Sequence, residues 1–202
     1  MDIIIVGLGN KGDKYQFNRH NIGRFFLERL ITNQPADFQF PDFWQDSKKF
    51  LAKEIGGEIG NKKVAIFLPE TMMNLSGRSV RKILDFYGRD NLLLVVHDDL
   101  DLTLGQMRLS FGSGSGGHKG VESINKELAN KNYYRLRLGI GRPDDKDLNY
   151  NKDIRDFVLD DFNPEEKDKV ESLFADFCSC LEVLIKEGPQ SAMNIFNSSN
   201  RL

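Results

Sequence analysis

Four short runs in this chain, Ile3-Ile-Ile-Val6, Val64-Ala-Ile-Phe-Leu68, Leu92-Leu-Leu-Val-Val96 and Arg135-Leu-Arg-Leu-Gly-Ile140, read as strands apolar enough to be buried on both faces. Between them apolar residues recur at intervals of three and four, the period of an amphipathic helix. A strand that is apolar on both sides needs cover above and below, so the alternation predicts an α/β fold, a sheet between helical layers. Two further strands are expected at Phe50 to Ile55 and Gln106 to Phe111. In the second, Arg108 and Ser110 alternate with Met107, Leu109 and Phe111, as in a strand wet on one face, which predicts a mixed rather than an all-parallel sheet.

The helical spacing is carried by Ile22, Phe25, Phe26 and Leu30; by Val80, Ile83, Leu84 and Tyr87, closed by Gly88; and by Val121, Ile124 and Leu128. The longest helix is expected to start at Asn163-Pro-Glu-Glu166, where a capping side chain, a first-turn proline and acids at the positive end of the dipole coincide. Its stripe of Val170, Leu173, Phe174, Phe177, Leu181 and Leu184 reads as core. The polar stretch from Asp144 to Asp153 is expected to be a flexible loop. With 202 residues there is material for one core and too little for two, so a single domain over 1–202 is expected.

A hydrophobic content of 40% beside 29% charged residues excludes a disordered tail protein. The longest apolar runs are far too short to span a bilayer, and the chain opens into a strand rather than a basic signal segment, so a cytoplasmic location is expected. Cys178 and Cys180 lie two apart on a helical pattern, point different ways and have no second cluster of ligands near them in sequence. They are expected to be idle thiols, neither a disulfide nor a zinc site. The net charge of −2 hides an asymmetry: residues 1–143 carry 21 Lys+Arg against 16 Asp+Glu, and residues 144–202 carry 7 against 14. The basic part is able to meet a polyanion locally even though the isoelectric point, about 6.0, does not suggest it.

There are only three histidines, and each stands near a junction of an apolar strand and a loop: His20 in Arg19-His-Asn-Ile-Gly23, His97 in Val96-His-Asp-Asp-Leu, and His118 in Gly116-Gly-His-Lys-Gly120. An imidazole with a carboxylate partner is the usual general base near neutral pH, and that places an active site at these junctions. His20 with Asp98 is the expected catalytic pair, with Asp99 and Asp101 as solvated turn acids. The stretch Gly7-Leu-Gly-Asn-Lys-Gly12 follows a strand and matches a dinucleotide fingerprint letter for letter. In a dinucleotide fold, however, the helix starts at those glycines. Here the polar and aromatic segment 13–20 intervenes, so the glycines are read as a tight turn that presents Asn10, and a nucleotide-dependent enzyme is disfavoured.

Five blocks carry a family resemblance. Val6-Gly-Leu-Gly-Asn-Lys-Gly12 with Tyr15 and Arg19-His-Asn-Ile-Gly23, then Pro69-Glu-Thr-Met-Met-Asn-Leu-Ser-Gly77, Val96-His-Asp-Asp-Leu-Asp-Leu-Thr-Leu-Gly105, Gly116-Gly-His-Lys-Gly120 and Arg135-Leu-Arg-Leu-Gly-Ile-Gly-Arg-Pro143 resemble, in order, the signatures of bacterial-type peptidyl-tRNA hydrolases. The resemblance implies a single three-layer α/β domain, phosphorylase/hydrolase-like, with a mixed, mostly parallel central sheet flanked by helices. It implies hydrolysis of the ester joining a peptide to the 3′-ribose of tRNA, which recycles tRNA from aborted translation. Peptidyl-tRNA is the implied partner, with no metal, no organic cofactor and no membrane, and a monomer is the default.

The resemblance also implies roles for single residues. His20 is the base and Asp98 its orienting carboxylate, while Asn10 and Asn74 are the amides that position substrate at the ester and terminal nucleotide. Amides suit this because they donate and accept without titrating. Tyr15 and Met73 line the cleft, His118 contacts substrate or caps its turn, and Arg137 matches a position associated with tRNA, with Arg108, Arg142, Arg78, Arg81 and Lys82 as further phosphate candidates. The chain departs from the pattern at Lys119, where the family has asparagine. An ammonium there is expected to meet an oxyanion or a phosphate and to lower the pKa of a nearby His20. The alternative reading is a catalytically weakened RNA-binding relative.

Overall fold

The computed structural model describes residues 3–143 and 153–198. Eight strands form one sheet: β1 (Ile3–Gly7), β2 (Phe38–Gln39), β3 (Gln45–Ser47), β4 (Ala52–Ile59), β5 (Lys62–Pro69), β6 (Leu92–Asp99), β7 (Met107–Phe111) and β8 (Tyr134–Gly139). Their order is β2-β4-β5-β1-β6-β8-β7, with β3 on β4. The central strands β5, β1, β6 and β8 run parallel, whereas β4 and β7 pair antiparallel at the flanks. The expected mixed sheet is therefore present, and the wet strand foreseen from Arg108 and Ser110 is its edge strand β7.

Among the described residues six helices cover the sheet: α1 (Ile22–Thr32), α2 (Ser76–Tyr87), α3 (Lys119–Leu128), α4 (Ile154–Leu159), α5 (Pro164–Glu187) and α6 (Pro189–Phe196). Because side chains alternate along a strand, Ile3 and Ile5 of β1 pack in one cluster with α1, α5 and α6, while Ile4 and Val6 pack in the other with α2 and α3. All six residues of the α5 stripe are buried, with Phe26 edge-on to both Phe174 and Phe177. Cys178 and Cys180 are free and buried on this helix, and burial pushes their thiols up to about 11 and about 12, so they are unreactive.

The structure differs from the sequence reading in several places. The short strands β2 and β3 and the short helices α4 and α6 were not foreseen, because two or three residues of strand, or six to eight of helix, carry too little periodicity. The strand expected from Phe50 begins at Ala52. Gly7 and Gly9 do not form a left-handed turn, since neither has positive φ. They are required by contact with α1: a Cβ on Gly7 would lie 2.7 Å from Leu27 and 2.8 Å from the Gly23 carbonyl oxygen, and one on Gly9 would lie 2.8 Å from Arg24. The expected loop from Asp144 lies outside the described residues, apart from Asp153, which precedes α4.

Between β1 and α1 the segment 13–21 forms two short 3-10 turns, and Arg19 locks the second, Arg19–Asn21, onto the far end of the chain. Its backbone N–H donates to the Asp160 carbonyl at 3.0 Å, and its guanidinium pairs with Glu166 at 2.7 Å and lies over the Phe157 ring at 4.4 Å. The same Glu166 carboxylate accepts from the Asn163 backbone N–H, which completes the capping box of α5. Replacing Glu166 with alanine is expected to cost about 2 kcal/mol, because it leaves a buried guanidinium with only the Phe157 and Asp160 carbonyls as acceptors and removes half of a cap. Urea titration should show a lower midpoint with an unchanged slope.

Candidate active site

The parallel strands β1, β5, β6 and β8 all end on one side of the sheet, the edge where α/β folds place ligands. A cleft of about 760 Å³ opens there. Asp98 comes from the end of β6, Asn10 from the segment after β1, Met73 and Asn74 from the 3-10 turn after β5, and His118 from the residue before α3. Of the residues singled out in the sequence, His20, Asp98, Asn10, Tyr15, Met73, Asn74, His118 and Lys119 all line this cleft. Arg137 does not.

At the floor, His20 Nδ1–H donates to Asp98, at 2.9 Å from Oδ1 and 3.0 Å from Oδ2. That fixes the imidazole with its Nε2 lone pair free for the cleft. Asp98 is only 3% exposed, and burial opposes its ionisation, yet His20 and His118 hold its carboxyl well below the usual carboxylate range. For His20 burial is the largest single influence and lowers the pKa, but the Asp98 charge and hydrogen bond outweigh it, and the net shift is upward from 6.5. Lys119 is not among the influences on His20. The expectation that it lowers the His20 pKa fails because its ammonium turns away to pair with Glu122 at 3.0 Å, on a side chain 67% exposed.

Asn10 is held from two sides. Its backbone N–H donates to Asn21 Oδ1 at 2.8 Å and its carbonyl accepts from Asn21 Nδ2 at 2.9 Å, a reciprocal pair buried beneath the cleft. The Asn10 Oδ1 accepts from the Met73 backbone N–H at 2.8 Å, which leaves Nδ2 uncommitted among the described residues. One amide thus ties the loop after β1 to the loop after β5. Asn74 stands exposed in the cleft wall, and Arg24 anchors that wall through the Pro69 carbonyl and Glu70. Asn21 and Arg24 were missed in the sequence, although both flank His20 on the turn and helix that present it.

His118 has both ring nitrogens engaged. Nδ1 accepts the Gly120 and Val121 backbone N–H groups at 3.1 and 3.3 Å, capping α3, and Nε2–H donates to Asp98 Oδ1 at 2.8 Å. His97 lies outside the cleft: wholly buried, it donates from Nδ1 to the Asp98 carbonyl at 2.6 Å, and its ring meets His118 edge-on at 4.7 Å. Burial, helped by His118, holds His97 well below 6.5, so it is a neutral packing residue rather than a site histidine. His20, Asp98 and His118 have the ligand types of a metal site, but adjacent donor atoms sit at 2.8 and 2.9 Å. Those are hydrogen-bond separations, and they match protons held between the groups rather than an ion.

Asp99, expected to be a solvated turn acid, is instead mostly buried, and it accepts from Arg137 Nε at 2.6 Å. Arg137 thereby stands one strand over from His97 and directly across from the exposed Arg108. Asp101 is exposed as expected and pairs with Arg142. The remaining cleft wall is α4, which contributes Ile154, Val158 and Leu159. The apolar spacing of Ile154, Phe157 and Val158 was the one signal in the sequence that pointed to it.

Known proteins share this fold and much of this sequence. The family model described as peptidyl-tRNA hydrolase matches residues 4–202. Peptidyl-tRNA hydrolases of Mannheimia succiniciproducens and Citrifermentans bemidjiense are each 40% identical over 96% of this chain, covering 95% and 97% of those proteins. The crystal structure of peptidyl-tRNA hydrolase from Acinetobacter baumannii superposes with a TM-score of 0.84 at 32% identity, over 98% of this chain and 95% of that one. The chain belongs to the peptidyl-tRNA hydrolase family.

Proposed function

We propose that this peptidyl-tRNA hydrolase works with His20 as general base and Asp98 as the carboxylate that orients it. Water bound at His20 Nε2 gives up its proton to the imidazole as its oxygen attacks the ester carbonyl carbon. The tetrahedral oxyanion then collapses, the bond to the ribose oxygen breaks, and that oxygen takes the proton back from the imidazolium. The Asp98 charge stabilises the imidazolium between the two steps. Asn10 and Asn74 supply amide donors beside the ester, and Tyr15 and Met73 form walls for the terminal nucleotide or peptide. The observation that carries this reading is the His20–Asp98 pair at the floor of a cleft that also holds the Asn10 amide. Incubating the purified chain with peptidyl-tRNA tests it: release of free tRNA supports the reading, and intact substrate contradicts it.

Substrate RNA is held by charge in this reading. Lys119 and Arg142 line the cleft, Arg137 and Arg108 stand opposite each other on the neighbouring strands β8 and β7, and the exposed Lys119–Glu122 pair is too weak to keep the ammonium from a phosphate. Affinity for tRNA is expected to fall steeply as salt rises, and a flat binding curve between low and moderate ionic strength would contradict it. The Lys119→Asn variant should weaken binding modestly while hydrolysis continues. A wild type that is inactive until this substitution is made would overturn the assignment. The alternative of an RNA-binding relative without turnover has no support, since the family match is full-length and the His20–Asp98 pair is intact. Action as a monomer in the cytoplasm belongs to the same proposal, and sedimentation checks the first part; among the described residues no helix is long and apolar enough to cross a membrane.

A further inference from the structure

Asp98 serves two imidazoles, and the second has its proton fixed by the fold. The Nδ1 of His118 accepts from two backbone N–H groups at the start of α3, so the ring carries its proton on Nε2, and that proton points at the same Oδ1 that accepts from His20. The two ring centroids stand 4.8 Å apart, side by side against the carboxylate. With both nitrogens engaged, His118 offers no polar atom to a substrate.

We propose that His118 is a positioning residue for the reaction: by donating to Asp98 it shares the carboxylate with His20 and limits how strongly that carboxylate draws a proton onto the base. This rests on the reading of His20 as general base. A carboxylate serving His20 alone would keep the imidazole protonated to higher pH and leave less base at neutrality. A carboxylate shared with a fixed N–H donor still orients His20 and stabilises the transient imidazolium, but yields the proton acceptor more readily. The other ionisable groups around the two rings are His97 on β6, Arg135 on β8, and Lys119 with Glu122 on α3. Asp99, Arg142, Asp153 and Arg155 lie farther along the cleft wall. Of these, His97 meets the His118 ring edge-on at 4.7 Å but lies outside the cleft, so a shift in the titration of His20 itself reports the shared hydrogen bond.

Two substitutions separate the functions of the ring. In His118→Asn the side-chain oxygen takes the place of Nδ1 and can cap α3, but nothing reaches Asp98. In His118→Gln the amide nitrogen takes the place of Nε2 and can reach Asp98, but the cap is lost. The asparagine variant is expected to melt close to wild type, while the acid limb of its kcat/KM profile moves up by about one pH unit, roughly a tenfold loss of turnover below the limb. The glutamine variant is expected to melt lower and to keep the limb near its wild-type position. An unmoved or lowered limb in the asparagine variant, or an equal upward move in both, overturns the proposal. A raised KM with the limb unmoved identifies a substrate contact instead. Nitrogen-15 NMR titration of His20 in the three proteins reads the same shift without substrate. If wild type fails to cleave peptidyl-tRNA, the hydrolase reading falls while the titrations still decide the role of His118.

Discussion

Replacing His20 with alanine is expected to lower the rate of peptidyl-tRNA hydrolysis by about 10²–10⁴-fold, or roughly 3–5 kcal/mol of transition-state stabilisation. The loss should fall on kcat rather than KM. The imidazole acts on water as the transition state forms, whereas binding in the ground state depends on the amides and the basic side chains around it. The fold should tolerate the change, since the turn that carries His20 is held by its neighbours Arg19 and Asn21 rather than by the ring. Single-turnover hydrolysis with saturating enzyme separates the two parameters. Wild-type rates in the variant would remove His20 from the chemistry.

Substituting Asp98 with asparagine should be nearly as damaging, for a different reason. The amide is almost the same size but presents one acceptor and one donor where the carboxylate presents two acceptors. His118 cannot move its proton, because its Nδ1 is occupied by the start of α3 and its Nε2–H already points at residue 98. The amide oxygen must therefore stay at Oδ1 for His118, and the amide N–H₂ takes the place of Oδ2, 3.0 Å from His20 Nδ1, where its hydrogens oppose an Nδ1–H. His20 can then only accept at Nδ1, which puts its proton on Nε2, on the side where the base must be free. We expect a loss of about 10²–10⁴-fold with the protein folded, the loss that follows when an imidazole is locked in the wrong tautomer. The Asp98→Ala variant is the harsher case for stability, since it leaves two buried N–H donors unmatched, at about 1–3 kcal/mol each. Activity in Asp98→Asn within a few-fold of wild type would show that the carboxylate does not orient the base.

The sequence exposed the parts of this site whose signals are local. The doubly apolar runs from Ile3, Val64 and Leu92 could only be central strands, and they are. Asn163-Pro-Glu-Glu166 marked the start of α5 to the residue, because capping chemistry acts within a single turn. His20 and Asp98 could be paired because three histidines leave few candidates, although 78 residues separate the partners and only the β1–β6 pairing brings them together.

What the sequence hid depends on contacts made across the fold. Gly7 and Gly9 look like turn glycines until α1 is seen pressing on them. Asp99 and Arg137 look like surface charges, yet the parallel register of β6 and β8 sets Asp99 beside Gly139 and Arg137 beside His97, where the two side chains meet. Lys119 stands at the cleft as its position implied, but its ammonium rests in an exposed pair with Glu122, three residues along the same helix, rather than against His20. His118 caps its turn, as one of the two expectations for it had it, but its bond to Asp98 is not visible without α3 and β6 in place.

The central claim, that a single imidazole oriented by Asp98 takes the proton from water, is tested most directly by comparing a kinetic titration with a spectroscopic one. The pH dependence of kcat/KM for peptidyl-tRNA reports the base in the free enzyme, and nitrogen-15 NMR of His20 reports the imidazole itself. Because Asp98 raises the His20 pKa above 6.5, activity should rise through an acid limb centred above that value, and the limb should coincide with the His20 titration. A limb that does not follow the His20 titration, or that persists unchanged in His20→Ala, would show that another group does this work.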